Sequence, residues 1–231
     1  MKVLIISGTN HKGSTYNTGR ILAEKLTSEE NISEIFLPRD FGNFCCGCAK
    51  CITESEDKCP HYAELHPVTE MLDSSDVLIF TTPTYVFHAT GQMKAFLDHY
   101  GWRWMVHRPE EKMFRKQAVV ISTAAGMGMK SAMKDVADSC FFWGIPRVYK
   151  YGKAVMENDW GRVKPEIKAA IGKKTDSLAK KILGREGRVG ITLKTRGLFF
   201  IMSMMQKNGF NEADVKYWKD KGWTQGKRPW R

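Results

Sequence analysis

What the chain of 231 residues lacks narrows its class first. No apolar run approaches the ~20 residues needed to cross a bilayer; the longest, at 198–205, stops far short. The opening MKVLIISG meets glycine too early for the apolar core of a secretory leader, and no small-residue cleavage site follows. The expectation is a cytoplasmic protein with no membrane contact. Internal repeats and low-complexity stretches are absent from the sequence. Acidic residues are in short supply: 25 against 36 Lys and Arg leave a formal charge of +11. That balance favours anionic partners such as phosphorylated cofactors, acidic proteins or nucleic acid. Much of the excess falls in 180–196, where Lys180, Lys181, Arg185, Arg188, Lys194 and Arg196 face only Glu186, as either a solvated face or a docking patch.

Three short runs rich in Val and Ile, KVLIIS (2–7), DVLIFT (76–81) and AVVIST (118–123), lead directly into polar or glycine-bearing loops. Continuous apolar runs of this kind suit strands buried on both faces of a parallel sheet. ISEIFL (32–37) and RVYKYG (147–152) are weaker strands, expected nearer the edges. Helical patterns lie between them, from Thr15 or Asn17 to Leu26, and over 68–72, 91–100 and 130–143. Five alternations of strand and helix predict an α/β doubly wound sheet, and a unit of ~150 residues fits the five-stranded parallel order 2-1-3-4-5. Val163, Ile167, Ile171, Leu178 and Ile182 recur at helical spacing and predict a helix closing a domain over 1–183. Residues 184–195 read as a linker, and 184–231 as a helical C-terminal extension. That extension is rich in Met and aromatics, including Tyr217, Trp218 and Trp223, which need burial against the sheet domain or in a homo-oligomer contact.

The loop after the first strand, SGTNHKGST (7–15), offers the hydroxyls of Ser7, Thr9, Ser14 and Thr15, the Lys12 ammonium and the backbone N–H groups of a helix start. These form a phosphate cradle. It has neither the G-x-G-x-x-G spacing of a dinucleotide turn nor the order of a P-loop, because Lys12 precedes Gly13. A mononucleotide's terminal phosphate fits better. In the order 2-1-3-4-5, the loop TPTYVFHATGQ (82–92) faces this cradle across the switch point, where a flat heteroaromatic ring has room. STAAGMG (122–128) ends the fourth strand in small residues that let backbone approach a ligand.

Cysteine is scarce outside one segment: five of the six lie within 45–59. Cys45, Cys48, Cys51 and Cys59 read C-x2-C-x2-C-x7-C, with Pro60 following and Cys46 extra. Three thiolates at intervals of three, on a turn containing Gly47, can converge on one cluster while a longer loop returns the fourth. A [4Fe–4S] cluster leads; tetrahedral zinc and a metal-free thiol site stay open, and disulfides fit a reducing compartment poorly. His61 and His66 follow closely as alternative ligands, proton carriers or plain loop residues, and Cys140 reads as a buried core thiol. Trp102, Arg103 and Trp104 either shape a substrate pocket or simply pack.

On these residues the sequence resembles the flavodoxin-like NAD(P)H-dependent FMN reductase family over roughly 1–155, and the cysteine run is similar to that of its iron–sulfur flavoprotein branch. The resemblance implies that the first loop holds the FMN phosphate through Ser7, Thr9, Lys12, Ser14 and Thr15, with Asn17 and Thr18 just inside the helix. It implies ring contacts from Pro83, Thr84, Tyr85, Val86 and Phe87, and from Thr123, Ala124, Ala125 and Gly126 at the pyrimidine edge. GTNHKGST replaces the family's usual Ser-Pro-Arg after glycine, which leaves Lys12 or His11 as the phosphate's charge partner.

A flavin accepts hydride and a cluster passes single electrons, so the expected activity is an FMN-dependent oxidoreductase or electron-transfer flavoprotein with the cluster close to the flavin. NAD(P)H or reduced ferredoxin is the expected donor, a small molecule or a protein the acceptor, and no side chain is needed as an essential acid or base. The rivals are a cluster-free NAD(P)H-dependent FMN or quinone reductase and, from another class, a nucleic-acid-binding module using the basic tail GKRPWR, for which no reading motif is present.

Overall fold

The computed structural model describes residues 1–209 and 211–230. Its centre is a five-stranded, all-parallel sheet in the order 2-1-3-4-5, built from β1 (Val3–Ser7), β2 (Ile32–Phe36), β3 (Val77–Thr81), β4 (Gln117–Ala124) and β5 (Arg147–Ala154). The pairing is in register, with Val3 opposite Ile32 and Val77, and Ser7 opposite Phe36 and Thr81. β1 and β3 are buried along their full length, as their unbroken apolar runs require. Alternation along each strand divides the core. Val3, Ile5, Ile79 and Ile121 point to one side and pack with Leu22, Leu178 and Ile182 of helices α1 (Ser14–Leu26) and α6 (Pro165–Leu183). Leu4, Ile6, Phe80 and Val120 point to the other.

On that second side lie α3 (Tyr62–Ser74), α4 (Gly91–Asp98) and α5 (Met129–Phe142), while α2 (Lys50–Thr53) is a short turn inside the cysteine segment. Cys140 is fully buried here; its surroundings push the thiol's pKa upward by desolvation, so it is chemically inert in the folded chain. Trp102 is buried, Arg103 donates to Asp73 through both terminal guanidinium nitrogens, and Trp104 stacks on Phe142 at 4.3 Å. Trp102 and Arg103 also line a second cavity of about 240 Å³.

Two expected boundaries are corrected. The helix expected over 68–72 is longer: α3 starts at Tyr62 and carries Pro67 inside it; only the bond from a residue-67 N–H is lost, and the apolar face of Leu65, Val68 and Leu72 holds the turn. The stretch read as a linker to residue 195 already contains the start of α7 (Leu193–Met205), because Thr192 caps it by accepting from the Thr195 N–H at 3.1 Å. With α8 (Glu212–Asp220), α7 forms a third core in which Phe199, Trp218 and Trp223 close over Met105 and Phe114. Phe199, Trp218 and Trp223 of the extension are thus buried within the chain, whereas Phe200 is exposed. The basic residues of 180–196 are solvent-facing apart from a half-buried Arg185.

Lys116, just before β4, is buried, and its ammonium donates to the carbonyl of Asp73 at 2.9 Å and to that of Ser75. Desolvation outweighs the nearby Asp73 and Asp76 and pulls its pKa from 10.5 down to about 8. The folded chain therefore releases this proton before the unfolded chain does, and the residue's penalty is relieved as pH rises from about 8 towards 10.5. Relative to Lys116→Gln, the unmodified chain is expected to gain ~2–3 kcal/mol of stability between about pH 7 and 10 in urea titrations; a pH-independent difference contradicts this.

Candidate functional site

A cavity of about 530 Å³ opens where β1 and β3 end side by side, at the switch point of the sheet. That volume suits a cofactor rather than an ion. Its floor is tied by hydroxyl pairs: Ser7 Oγ to Thr81 Oγ1 at 3.0 Å, Thr15 Oγ1 to Thr123 Oγ1 at 2.5 Å, and Thr84 Oγ1 to Ser122 Oγ at 2.9 Å. Each pair joins the ends of different strands or the helix above them, so the loops are held as one rim. Thr90 adds a further tie, accepting from Met93 N–H as the cap of α4 and donating to the Gly8 carbonyl at 2.8 Å.

The α1 N-terminus opens into this cavity with Gly13 as its cap and no side chain satisfying the first N–H groups. Those donors and the helix dipole favour an anion. A Cβ on Gly13 would lie 2.7 Å from the His11 ring and 2.8 Å from the Asn158 carbonyl, so only glycine keeps the cradle open. Asn17 Nδ2 donates to the carbonyls of Lys12 and Gly13 at 2.8 and 2.9 Å, fixing the loop from within the helix.

Of the expected contacts, Thr9, Ser14, Thr15, Pro83, Thr84, Tyr85, Thr123, Ala124 and Ala125 line the cavity. Ser7 and Thr18 are buried beneath it, and Asn17 braces it. Lys12 is directed elsewhere, its ammonium 5.1 Å from the Tyr16 ring centre and 5.2 Å from that of Phe36. Val86 and Phe87 form the exposed tip of a two-residue turn closed by reciprocal bonds between Tyr85 and His88. Both tip residues have positive φ, 48° and 67°, which is costly for a β-branched and an aromatic side chain. Gly126 lies outside the lining.

Sequence reasoning missed the loop after β5. Met156, Glu157, Asn158, Asp159 and Arg162 form one wall, with Ser14 Oγ donating to the Glu157 carbonyl at 3.0 Å and the His11 ring 3.1 Å from that of Asn158. The available signal was positional: this loop ends a strand on the same rim as the three loops already singled out. Arg162 brings a guanidinium to the lining and His11 an imidazole.

The cysteine segment leaves β2 and passes through left-handed backbone at Gly47 (φ 69°) and Ala49 (φ 58°) before α2. The backbone N–H of Lys50 lowers the pKa of Cys48. Burial raises Cys51 to about 11, helped by negative charge at Cys59, Cys45 and Cys48. Cys59 is raised by burial too, and by Cys48, Cys45 and Cys46. These cysteines lie near enough to influence one another's ionisation, and a bound metal would favour their thiolate forms. Cys59 also meets His61 and His99, the three donor atoms lying within 4.8 Å of one another. His99 is buried, donates from Nδ1 to the Ala95 carbonyl at 2.7 Å, and accepts at Nε2 from His61 Nδ1 at 2.9 Å. Among the described residues no cysteine lines the flavin-sized cavity. Helix α4 connects the two regions, from Thr90 on the rim to His99 beside Cys59, a run of about 14 Å. The cysteines are therefore a neighbouring site, not part of the cavity wall.

A parallel sheet in this order, with an anion cradle and a flat-sided cleft at its switch point, defines a flavodoxin-like, flavin-dependent oxidoreductase. The chain belongs to the NADPH-dependent FMN reductase family, whose model matches residues 1–157. It is similar to an iron–sulfur flavoprotein of Archaeoglobus fulgidus, 25% identical over 96% of this chain and 99% of the relative. Among solved structures it is similar in fold to an FMN-dependent NADH-azoreductase of Bacillus anthracis in complex with FMN (TM-score 0.57, 13% identity, covering 79% of this chain and 100% of the other). It is also similar to an NAD(P)H:quinone oxidoreductase of Methanothermobacter marburgensis (TM-score 0.59, 16% identity, 78% and 96%). The uncapped α1 start and the cavity volume fit the family's FMN.

Proposed function

We propose that the chain couples FMN in the cavity to a [4Fe–4S] cluster held by Cys45, Cys48, Cys51 and Cys59, taking electrons from NAD(P)H or reduced ferredoxin. The observation that supports this reading is the set of four free cysteines at C-x2-C-x2-C-x7-C spacing in one short segment, near enough to shift one another's ionisation and one helix away from a flavin-sized cavity. When bound, flavin exchanges hydride and the cluster exchanges single electrons. The chain's own residues bind and orient. The N–H groups at the start of α1 and the hydroxyls of Ser14 and Thr15 would hold the phosphate, with Arg162 adding positive charge and His11 a ring N–H. Pro83, Thr84 and Tyr85 line the ring side, and Thr123, Ala124 and Ala125 its other edge. Six free thiols suit a reducing, cytoplasmic setting. The outward face of α7, where Phe200, Ile201, Met204 and Met205 are exposed, supports self-association.

A second reading rests on the compact set Cys59, His61 and His99: a cluster-free FMN reductase with one zinc ion there. Anaerobic purification followed by iron, acid-labile sulfide, zinc and FMN analysis separates the two. Iron and sulfide near four each per FMN support the cluster; zinc without sulfide supports the second reading.

A further inference from the structure

We propose that Arg108, Asp214 and Asn211 form a buried clamp through which the C-terminal extension fixes the Cys51 turn, making them positioning residues for the cysteine segment. Helix α2 has only four residues, too few to stabilise itself, and its last carbonyls have no partners within the helix. Two of these carbonyls are met from outside. Arg108 donates through one terminal nitrogen to the Cys51 carbonyl and through the other to that of Ile52 at 3.0 Å. Asn211 Nδ2 donates to the same Ile52 carbonyl at 2.6 Å.

The donors are themselves fixed by the extension. Asp214 on α8 pairs with Arg108, with side chains only 2% and 7% exposed, and its other oxygen accepts from His107 Nδ1 at 2.8 Å. Asn211 caps α8, its Oδ1 accepting from Ala213 N–H at 3.0 Å, so its amide is held with the donor end towards Ile52. The strand of chain carrying Arg108 is gripped on both sides. Gln206 Nε2 donates to the Val106 carbonyl at 2.6 Å, Trp218 Nε1 to that of His107 at 2.6 Å, and Tyr217 OH to that of Pro109 at 2.8 Å. A planar guanidinium that forks onto two carbonyls and one carboxylate has little freedom left, and neither has the turn it holds. The extension thus sets the position of one thiol from a distance of more than 150 residues in sequence.

Asp214→Ala would strand a buried guanidinium and threaten the fold, so the decisive variants are Asn211→Asp, which keeps the α8 cap but turns a carboxylate towards Ile52, and Arg108→Lys, which keeps the charge but loses the fork. Iodoacetamide labelling of full-length, metal-free protein, read by peptide mass spectrometry, compares Cys51 with Cys140, the thiol of the main core. The expected result is Cys51 labelling about tenfold faster in either variant, with Cys140 unchanged. Unchanged Cys51 rates in both variants, or Cys51 and Cys140 rising together as global loosening requires, would overturn the clamp. The proposal rests on Cys51 being a ligand only for its second arm: in anaerobically prepared protein both variants are expected to release iron to a chelator faster while FMN stays bound, and equal release rates count against it. Protein that contains no iron defeats the cluster reading and leaves the clamp to the thiol comparison.

Discussion

Cys48→Ser is expected to reduce iron and acid-labile sulfide in anaerobically prepared protein to about a tenth or less of the parent level, with FMN content and melting temperature unchanged. The size of the effect follows from where the residue sits. Cys48 is exposed on a loop beside Gly47, so the substitution removes no core packing, and surface changes of this kind move stability by roughly 0.5 kcal/mol or less. The Lys50 N–H lowers the pKa of the Cys48 thiol, and serine at this position cannot supply a thiolate ligand. Cys46→Ser, outside the C-x2-C-x2-C spacing, is expected to keep the cluster. The zinc reading makes the opposite forecast: Cys48→Ser retains the ion, whereas His99→Leu removes it, because His99 belongs to the set around Cys59 and Cys48 does not. Metal analysis of these three variants therefore discriminates between donor sets rather than between folded and unfolded protein.

Ser14→Asp is expected to weaken FMN binding by roughly 100-fold or more, measured by equilibrium dialysis of the apoprotein. Ser14 is the first residue of α1 and is buried at the cavity wall. A carboxylate at that place accepts the N–H groups that the phosphate needs and adds negative charge within a few ångströms of a dianion, a penalty of about 3 kcal/mol at the effective dielectric of a partly open site. The substitution should not unfold the chain, since acidic residues in the first helical turn favour the helix. Ser14→Ala loses only one hydroxyl and its bond to the Glu157 carbonyl, with an expected cost of about tenfold or less. Equal affinity in the parent and Ser14→Asp would place the anion elsewhere.

The legible part of this protein was whatever depends on local sequence pattern. Unbroken runs such as VLIIS and VLIFT can be buried on both faces only in a parallel sheet, and right-handed crossovers with short connections leave few strand orders, so the topology follows from the residues. Polar and small residues directly after those runs mark the ends that line the cavity. Contacts between distant segments left no such mark. The Met156 to Arg162 wall has ordinary loop composition and matters only because β5 delivers it to the same rim. Lys12 reads as a phosphate partner by type, and the position of its ammonium over the Tyr16 and Phe36 rings is a contact the sequence does not mark. His99 sits at the end of an unremarkable helix and acquires meaning only when α4 brings it to Cys59. Asn211 and Asp214 carry no mark in the sequence of their partners Ile52 and Arg108, which lie more than 100 residues away along the chain.

The most direct test of the coupled flavin–cluster account is an anaerobic reductive titration that counts electrons per chain by visible absorbance. FMN takes two electrons and a [4Fe–4S] centre takes one, so the account predicts uptake of about three per chain, with bleaching near 400 nm beyond that of the flavin band at about 450 nm. Uptake that ends at about two, with only the flavin band lost, would contradict it.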